Sequence, residues 1–299
     1  MFMIRILRIL YSLAPENKYV NFIVTKFGMW SVKHKRKKRL TFRSREGTIF
    51  RIDLSEKMHK YLFIRGTYEP GLSRFFRMNI RPDDVVFDVG ANFGWFSVLF
   101  LKLLDKRGSL HSFEPVPPIY EELKQNIALN KGKIEPKLNN FALGAKKTRT
   151  EINVFKNLPH GHASLSDLGR EDASTYDTEI ITLDHYIEKY KIRKVDVIKI
   201  DVEGAEFNVL RGAEKLLKNN PPRIITMEVN YRTSRFFGYS PLDMLEYLRS
   251  FGYRIYALGL GGKQAIKDWK SFKHGDVAVA EHKGDTIEDS KHSNINTVS

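Results

Sequence analysis

The sequence predicts a doubly wound α/β domain built on a mainly parallel sheet. From Asp83 onward, short β-rich apolar runs alternate with helical segments, as in a parallel sheet covered by helices on both faces. The first run ends in a glycine-containing turn at 90–94, and the second run ends in an acid, Glu114. With 42% apolar and 28% charged residues in 299, the chain is typical of a globular protein.

Seven runs are predicted to be strands: 85–90, 109–115, 133–144, 195–201, 223–229, 253–258 and 276–282. Helices are predicted at 95–104, 117–130, 205–217 and 241–252, and the two prolines at 117 and 118 suit a first helical turn. Ligands of such sheets bind at the carboxyl ends of the strands, near the point where the strand order reverses. The residues that directly follow each strand are therefore the candidates for function.

The chain is predicted to have three parts. Residues 1–45 form a basic, partly amphipathic extension, 46–282 form the domain, and 283–299 form a polar tail that we expect to be disordered. Segment 145–182 is predicted to be an insertion with two strand-like runs around a polar loop. A short hairpin is predicted around Glu46-Gly47.

The positive charge is concentrated near the N-terminus. Residues 1–81 hold 19 Lys and Arg against 5 Asp and Glu, and residues 82–299 hold 31 against 30. An apolar, aromatic segment precedes six basic residues at 33–39, an order that favours an anionic membrane surface over nucleic acid. Packing of this segment on its own domain is the third alternative. No run approaches the ~20 apolar residues of a membrane-spanning helix.

The turn after the first strand reads Asp88-Val89-Gly90-Ala91-Asn92-Phe93-Gly94. A dinucleotide-binding turn has a glycine where this chain has Asn92, so NAD and FAD are disfavoured. Asp88 would repel a pyrophosphate but could accept a hydrogen bond from an ammonium group. Glu114 could accept hydrogen bonds from both hydroxyls of a ribose. A nucleoside that carries an amino acid suits both acids, which describes S-adenosylmethionine.

These motifs resemble those of the FkbM-type methyltransferases, class I enzymes that mostly methylate hydroxyl oxygens. The matching runs include VVFDVGANFGWFSVLF, FEPVPPIYEELKQN, NNFALG, VDVIKIDVEGAEFNVLRGAEKLL and GTYEP, and the similarity extends from about 48 to 280. The resemblance implies a Rossmann-like sheet of seven strands with the last one antiparallel. It leaves the methyl acceptor open among sugars, polyketides and other small hydroxyl compounds.

The resemblance also implies which residues bind S-adenosylmethionine. The turn would surround the methionine part, Glu114 would bind the ribose, and residues 140–142 would border the adenine. The complete predicted set is Glu69, Asp88, Gly90, Ala91, Asn92, Gly94, Trp95, Glu114, Pro115, Asn140, Ala142 and Asp201.

The catalytic candidates are Asp201, Glu203, His162 and Glu228. Methyl transfer from a sulfonium requires alignment and removal of the acceptor's proton, and Asp201 follows the fourth strand directly. Asp201 is either the general base or a group that orients the hydroxyl. Glu203 is alternatively a helix-start acid and Glu206 a solvated helix residue. The spacing resembles no dedicated metal motif, so we expect no required metal.

Three functions remain open from the sequence. The first is a small-molecule or glycan O-methyltransferase, the second an RNA or protein methyltransferase that uses the basic segment, and the third a non-catalytic nucleoside-binding module. Enzymes that methylate flipped bases often have Asn/Asp-Pro-Pro-aromatic after the fourth strand, and this chain has Asp201-Val202-Glu203-Gly204 there. The acids after the first, second and fourth strands are all present, which disfavours a pseudoenzyme. The absence of cysteine fits a cytoplasmic location.

Overall fold

A computed structural model confirms the doubly wound α/β fold. It describes residues 2–14, 17–33, 38–155, 163–164, 173–259, 262–265, 272 and 276–282. The strands are β1 (Arg39–Arg43), β2 (Ile49–Asp53), β3 (Val85–Val89), β4 (Ser109–Phe113), β5 (Lys137–Asn139), β6 (Ala142–Leu143), β7 (Thr148–Phe155), β8 (Ala163–Ser164), β9 (Ala173–Ile181), β10 (Val197–Ile200), β11 (Ile224–Val229), β12 (Tyr253–Gly259), β13 (Gly262–Ala265) and β14 (Asp276–His282).

Helices cover the sheet and extend the chain at its N-terminus. They are α1 (Phe2–Leu13), α2 (Lys18–Lys33), α3 (Lys57–Arg65), α4 (Pro70–Asn79), α5 (Trp95–Leu103), α6 (Pro117–Ala128), α7 (Leu183–Lys189), α8 (Glu206–Arg211), α9 (Glu214–Asn219), α10 (Tyr231–Ser234) and α11 (Pro241–Ser250), with a 3-10 turn at Arg235–Phe237. In the described part of the chain, no helix combines the length and the apolar character needed to cross a bilayer.

The central sheet has the order β13-β12-β14-β11-β10-β3-β4-β5. The five strands from β11 to β5 are parallel, and β14 runs antiparallel to both of its neighbours, as expected for the last of seven strands. The described sheet nevertheless has eight strands, because β13 adds an antiparallel edge to β12. This tetrapeptide, Gly-Lys-Gln-Ala, has no apolar strand pattern of its own and acquires its conformation from its neighbour. The strand order reverses beside β3, so β3 and β10 flank the expected ligand site.

The insertion is a β-hairpin, as predicted. Strands β7 and β9 pair antiparallel along their whole length, and together with β6 and β8 they form a second sheet. Strand β6 pairs with β9 in parallel, which holds the insertion beside the carboxyl end of β5. The polar loop of the insertion, including His160 and His162, lies outside the described residues, as does the C-terminal tail.

The single helix predicted at 205–217 is wrong, because the structure divides it into α8 and α9. The break lies at Gly212, where a side chain would run into the backbone carbonyl of Gly144. Asp184 also intervenes, since its carboxylate accepts the backbone N–H groups of Lys215 and Leu216 at the start of α9. A tertiary contact therefore ends one helix and begins the next.

The N-terminal helices pack against each other and against α3. Their buried side chains, among them Leu7 and Val24, belong to the same apolar cluster as side chains of α5 and of the inner strands of the central sheet. Gly28 of α2 allows this approach, because a Cβ atom there would overlap the side chain of Ile64 in α3. The predicted hairpin is present as β1 and β2, and the expected boundary at residue 45 falls in its turn. The inner faces of the first two helices thus pack on the domain.

This packing predicts different costs for two substitutions in α1. Leu7 is buried and Ile9 is 59% exposed. We expect Leu7→Ala to lower the free energy of unfolding by about 2–5 kcal/mol, because it leaves a cavity in the core. Ile9→Ala, the matched control, should change it by about 0.5 kcal/mol or less. Urea unfolding followed by circular dichroism measures both, and equal effects would show that α1 is not part of the cooperative fold.

Candidate active site

The carboxyl ends of β3, β4, β10 and β11 border one cavity of about 690 Å³. This volume lies in the range of small-molecule and cofactor sites. Nine of the residues predicted for the site line it: Glu69, Gly90, Asn92, Glu114, Pro115, Ala142, Asp201, Glu203 and Glu228. The structure therefore brings together residues from six separate stretches of the chain.

The turn after β3 contains three residues with positive φ: Gly90 at 75°, Asn92 at 51° and Gly94 at 96°. A side chain at Gly90 would run into the backbone carbonyl of Asp201, so glycine is required there by the close approach of two strand ends. The Asn92 carboxamide oxygen accepts the next backbone N–H, from Phe93, at 2.7 Å. Asparagine tolerates the left-handed conformation better than most residues.

Glu114 is the buried acid at the end of β4. Its two carboxylate oxygens accept the backbone N–H groups of Asn92 at 2.9 Å and of Val116 at 3.0 Å. Burial raises the pKa of Glu114 to about 7, although these two hydrogen bonds lower it. The carboxylate is held between the two loops that follow β3 and β4, and it faces the cavity.

Asp88 lies behind the cavity and is completely buried. It accepts the Ser97 hydroxyl at 2.6 Å and pairs with the Lys199 ammonium at 3.2 Å. Lys199 also donates to the Gly90 carbonyl oxygen at 3.1 Å and lies 3.5 Å from the Asp201 carboxylate. The sequence analysis expected Asp88 to accept a hydrogen bond from an ammonium group. In this structure, the ammonium group next to Asp88 is that of Lys199 on the neighbouring strand.

Lys199 is one of the cavity residues that the sequence analysis missed. It lines the cavity from the middle of β10, between Ile198 and Ile200. Burial by itself would lower the pKa of Lys199, but Asp88, Asp201 and Glu69 together raise it above the ordinary value. A lysine inside an otherwise apolar strand is the signal that identifies it.

Four acids of the cavity lining lie at and around Asp201: Glu69, Asp201, Glu203 and Glu228. Burial, followed by the charge of Asp201, raises the pKa of Glu69 to about 7 and that of Glu228 to about 8. Glu69 and Glu203 have positive φ values of 40° and 54°. Together with Asn92, they are three of the four such non-glycine residues in the described structure, and backbone strain of this kind concentrates at functional sites.

Glu206 is not a solvated helix residue, because it is 2% exposed. One of its oxygens accepts the backbone N–H groups of Val202 and Gly204, both at 3.1 Å. The Tyr239 hydroxyl contacts the other oxygen at 3.3 Å and also bonds to the Gly204 carbonyl. Burial raises the pKa of Glu206 to about 7. Glu206 therefore fixes the loop that carries Glu203.

Four other predicted residues lie outside the cavity lining. The Ala91 backbone N–H bonds to the Phe113 carbonyl, and Gly94 leaves room for Leu123 of α6. The Trp95 indole donates to Ser73 at 2.9 Å and stacks on Phe50. The Asn140 carboxamide donates to the Glu114 and Pro115 carbonyls at 2.9 and 3.0 Å. These groups support the loops around the site from behind.

The cavity continues to a wall made by α1 and α3, which the sequence analysis did not include. Tyr11, Lys57, Tyr61 and Arg65 line this part. The Arg65 guanidinium lies 5.4 Å from the Tyr11 ring centre and 4.9 Å from that of Tyr61.

Within the described residues, no group of three or more His, Asp or Glu side chains has the arrangement of a metal site.

The raised pKa of Glu228 predicts a pH dependence of stability. The unfolded chain loses this proton at the ordinary glutamate pKa, and the folded chain keeps it up to about pH 8. Between these values the unfolded state binds fewer protons, so rising pH favours unfolding. We expect the unfolding temperature to fall from about pH 5 to about pH 8, and the fall to be shallower in Glu228→Gln, which is always neutral. Thermal unfolding at several pH values measures this; an unchanged slope in Glu228→Gln, matching the exposed control Glu121→Gln, would contradict it.

The chain is similar in sequence to several proteins that are named as methyltransferases. The chain is 28% identical over 165 residues to methyltransferase sdnD of Sordaria araneosa, covering 46% of this chain and 63% of the relative. It is 29% identical over 166 residues to 31-O-demethyl-FK506 methyltransferase FkbM of Streptomyces tacrolimicus, covering 46% and 62%. It is 26% identical over 170 residues to hexuronic acid methyltransferase AglP of Haloferax volcanii, covering 57% and 66%.

In each case the match spans less than two thirds of the relative's length. The family model of the methyltransferase FkbM domain matches residues 88–255, more than half of this chain. That range begins at Asp88 behind the glycine turn, contains Glu114, Asp201 and Glu228, and ends in β12. The chain therefore belongs to the FkbM methyltransferase family.

Proposed function

We propose that this chain is an S-adenosylmethionine-dependent O-methyltransferase acting on a hydroxyl of a sugar, a glycan or another small molecule. One observation carries the proposal: the Asp201 carboxylate, 34% exposed, lines the same cavity as the Gly90–Asn92 turn and Glu114. The proposed proton acceptor, Asp201, and the proposed nucleoside site at the turn and Glu114 therefore line the same cavity. The relative from Streptomyces tacrolimicus is named for an O-demethylated substrate, which supports oxygen as the acceptor atom.

The residues of the cavity fit S-adenosylmethionine. When ionised, the Glu114 carboxylate offers only acceptors to the cavity, which suits the two hydroxyl donors of an unphosphorylated ribose. The cation nearest to the glycine turn, Lys199, already pairs with Asp88 and Asp201, so the turn offers no free ammonium to a pyrophosphate. When bound, S-adenosylmethionine supplies a methyl group activated on a sulfonium.

The side chains around Asp201 would prepare the acceptor. The Asp201 carboxylate accepts the proton of the acceptor hydroxyl or holds that hydroxyl in line with the methyl group. Lys199, two residues earlier in the chain and on strand β10, keeps this carboxylate in place. Glu228, with a pKa of about 8, would carry a proton at neutral pH and would be able to donate a hydrogen bond to a second oxygen of the acceptor.

The charges of the cavity constrain the acceptor. Four acids lie at the Asp201 end, so the reacting part of the acceptor is a neutral polyhydroxyl group rather than an anion. Lys57 and Arg65 lie on the wall made by α3 and suit an anionic group elsewhere on the same molecule. AglP of Haloferax volcanii is named for a hexuronic acid, which has both hydroxyl groups and a carboxylate.

The cytoplasmic location expected from the absence of cysteine stays a prediction.

Cofactor choice is tested by binding. Isothermal titration calorimetry of the purified chain should show binding of S-adenosylmethionine or S-adenosylhomocysteine and no binding of NAD. Glu114→Ala should weaken cofactor binding by about 1–3 kcal/mol, since it removes hydrogen bonds to a charged group. Circular dichroism would verify that the variant is folded, and Glu121→Gln serves as the control. Binding of NAD without S-adenosylmethionine would overturn the proposal.

The role of Asp201 is tested by turnover. Transfer of a labelled methyl group to a panel of neutral and acidic saccharides would first identify a working acceptor. Asp201→Asn keeps the shape of the side chain and removes the base, so turnover should fall by about 10²–10⁴-fold while cofactor affinity changes little. Near wild-type turnover in this variant would exclude Asp201 as the base and would leave Glu228 and His162 as candidates.

A further inference from the structure

The outer face of α1 and α2 is a large exposed apolar surface. Of the fourteen large apolar side chains that are exposed in the described part of the chain, ten lie on these two helices. An apolar surface of this kind marks an interaction site in a globular protein. Its members, called the outer face below, are Phe2, Ile6, Ile9, Leu10, Leu13, Tyr19, Phe22, Ile23, Phe27 and Trp30.

The outer face lies opposite to the packed side of each helix. In α2 the buried positions Val24, Gly28 and Val32 form one stripe at helical spacing. At about 100° per residue, the exposed aromatic residues of α2 fall on the other side. The same holds in α1, where the buried stripe contains Ile4 and Leu7. Since the buried stripes of both helices face the body of the protein, both exposed stripes point away from it.

The charged residues within α1 and α2 are all positive. Helices α1 and α2 contain five Lys and Arg and no Asp or Glu. Arg8 is turned inward, where its guanidinium donates to the Phe63 carbonyl at 2.6 and 3.0 Å. Arg5, Lys18, Lys26 and Lys33 are exposed, and residues 33–39 continue the positive charge from the end of α2 with six Lys and Arg.

The aromatic composition matches a lipid interface. Tyr19 and Trp30 combine an apolar ring with a polar group, and such residues concentrate at the level of lipid headgroups. The Lys26 ammonium lies 5.6 Å from the Phe22 ring centre. Its alkyl stem can therefore lie along apolar surface while its charge reaches the headgroups.

Other occupants fit this surface less well. A second copy of the chain would bring two strongly positive faces together, and like charges oppose that contact. Nucleic acid would satisfy the lysines but would leave ten apolar side chains in water. The polar segment 283–299 lacks the apolar residues needed to cover the face. An anionic bilayer satisfies both the apolar side chains and the positive charge.

We propose that the outer face of α1 and α2 is a docking surface for an anionic membrane, with the aromatic residues in the headgroup region and the lysines on lipid phosphates and carboxylates. The inner faces stay packed on the domain while this surface inserts. Tyr11, on the inner side of α1, lines the cavity, so docking would place that cavity wall directly behind the bilayer surface.

Co-sedimentation of the full-length chain with vesicles tests this proposal without cofactor or acceptor, so its outcome is independent of the proposed methyl transfer. The protein should sediment with vesicles of phosphatidylcholine and phosphatidylserine, bind pure phosphatidylcholine much less, and dissociate in high salt. The double variant Phe27→Ser/Trp30→Ser should bind at least about tenfold less, the ratio that corresponds to loss of one buried aromatic side chain. Lys26→Glu/Lys33→Glu should also bind at least about tenfold less, since each basic residue near the surface contributes about fivefold.

The matched control is Met78→Ser/Phe236→Ser, which removes two exposed apolar side chains from outside the outer face. It should bind vesicles like the wild type. Circular dichroism and thermal unfolding would verify that every variant is folded. No binding to anionic vesicles, equal loss in the control variant, a stable dimer in light scattering that requires Trp30, or preference for RNA over vesicles at physiological salt would each overturn the proposal.

Discussion

The buried ammonium of Lys199 is the contact on which the geometry of the site depends. It joins the side chain of Asp88 on β3, the carbonyl of Gly90 in the turn and the carboxylate of Asp201 at the end of β10. These two strands lie side by side where the strand order reverses, so a single cation fixes both edges of the ligand site. Without it, the fully buried Asp88 carboxylate would lose its ionic partner, and breaking a buried ion pair in this way costs about 3–5 kcal/mol.

The same cation sets the charge of the cavity. The Lys199 ammonium offsets the charge of Asp88 and part of the charge of Asp201. Glu69, Glu203 and Glu228 line the same cavity. Burial and the charge of Asp201 therefore raise the pKa of Glu69 and of Glu228, so protonated and ionised carboxyl groups lie next to each other near neutral pH. Such a site can both donate and accept hydrogen bonds toward hydroxyl groups. The left-handed backbone at Glu69 and Glu203 shows that the fold holds these acids in place against local strain.

The sequence was sufficient for features that depend on local pattern. Apolar runs and turn residues predicted the sheet and the positions of Glu114 and Asp201 after strand ends, because each of these depends on a few consecutive residues. Lys199 was missed because its partner Asp88 is 111 residues away, and only strand pairing brings the two together. Strand β13 and the break between α8 and α9 were missed for a similar reason. Pairing with β12 determines β13, and the hydrogen bond that the Asp184 carboxylate accepts from the Lys215 backbone N–H determines the start of α9.

The N-terminal helices show why the alternatives drawn from their sequence were not exclusive. A helix with apolar residues all round has two apolar faces, and packing one on the domain leaves the other in water. In α1, the inner face buries Leu7 and Tyr11 while Phe2 and Leu13 remain largely exposed. Removing α1 would therefore expose the core and take away Tyr11 from the cavity wall. The first helix belongs to the site on one side and presents an uncovered apolar surface on the other, so a ligand of that surface would act directly on a wall of the cavity.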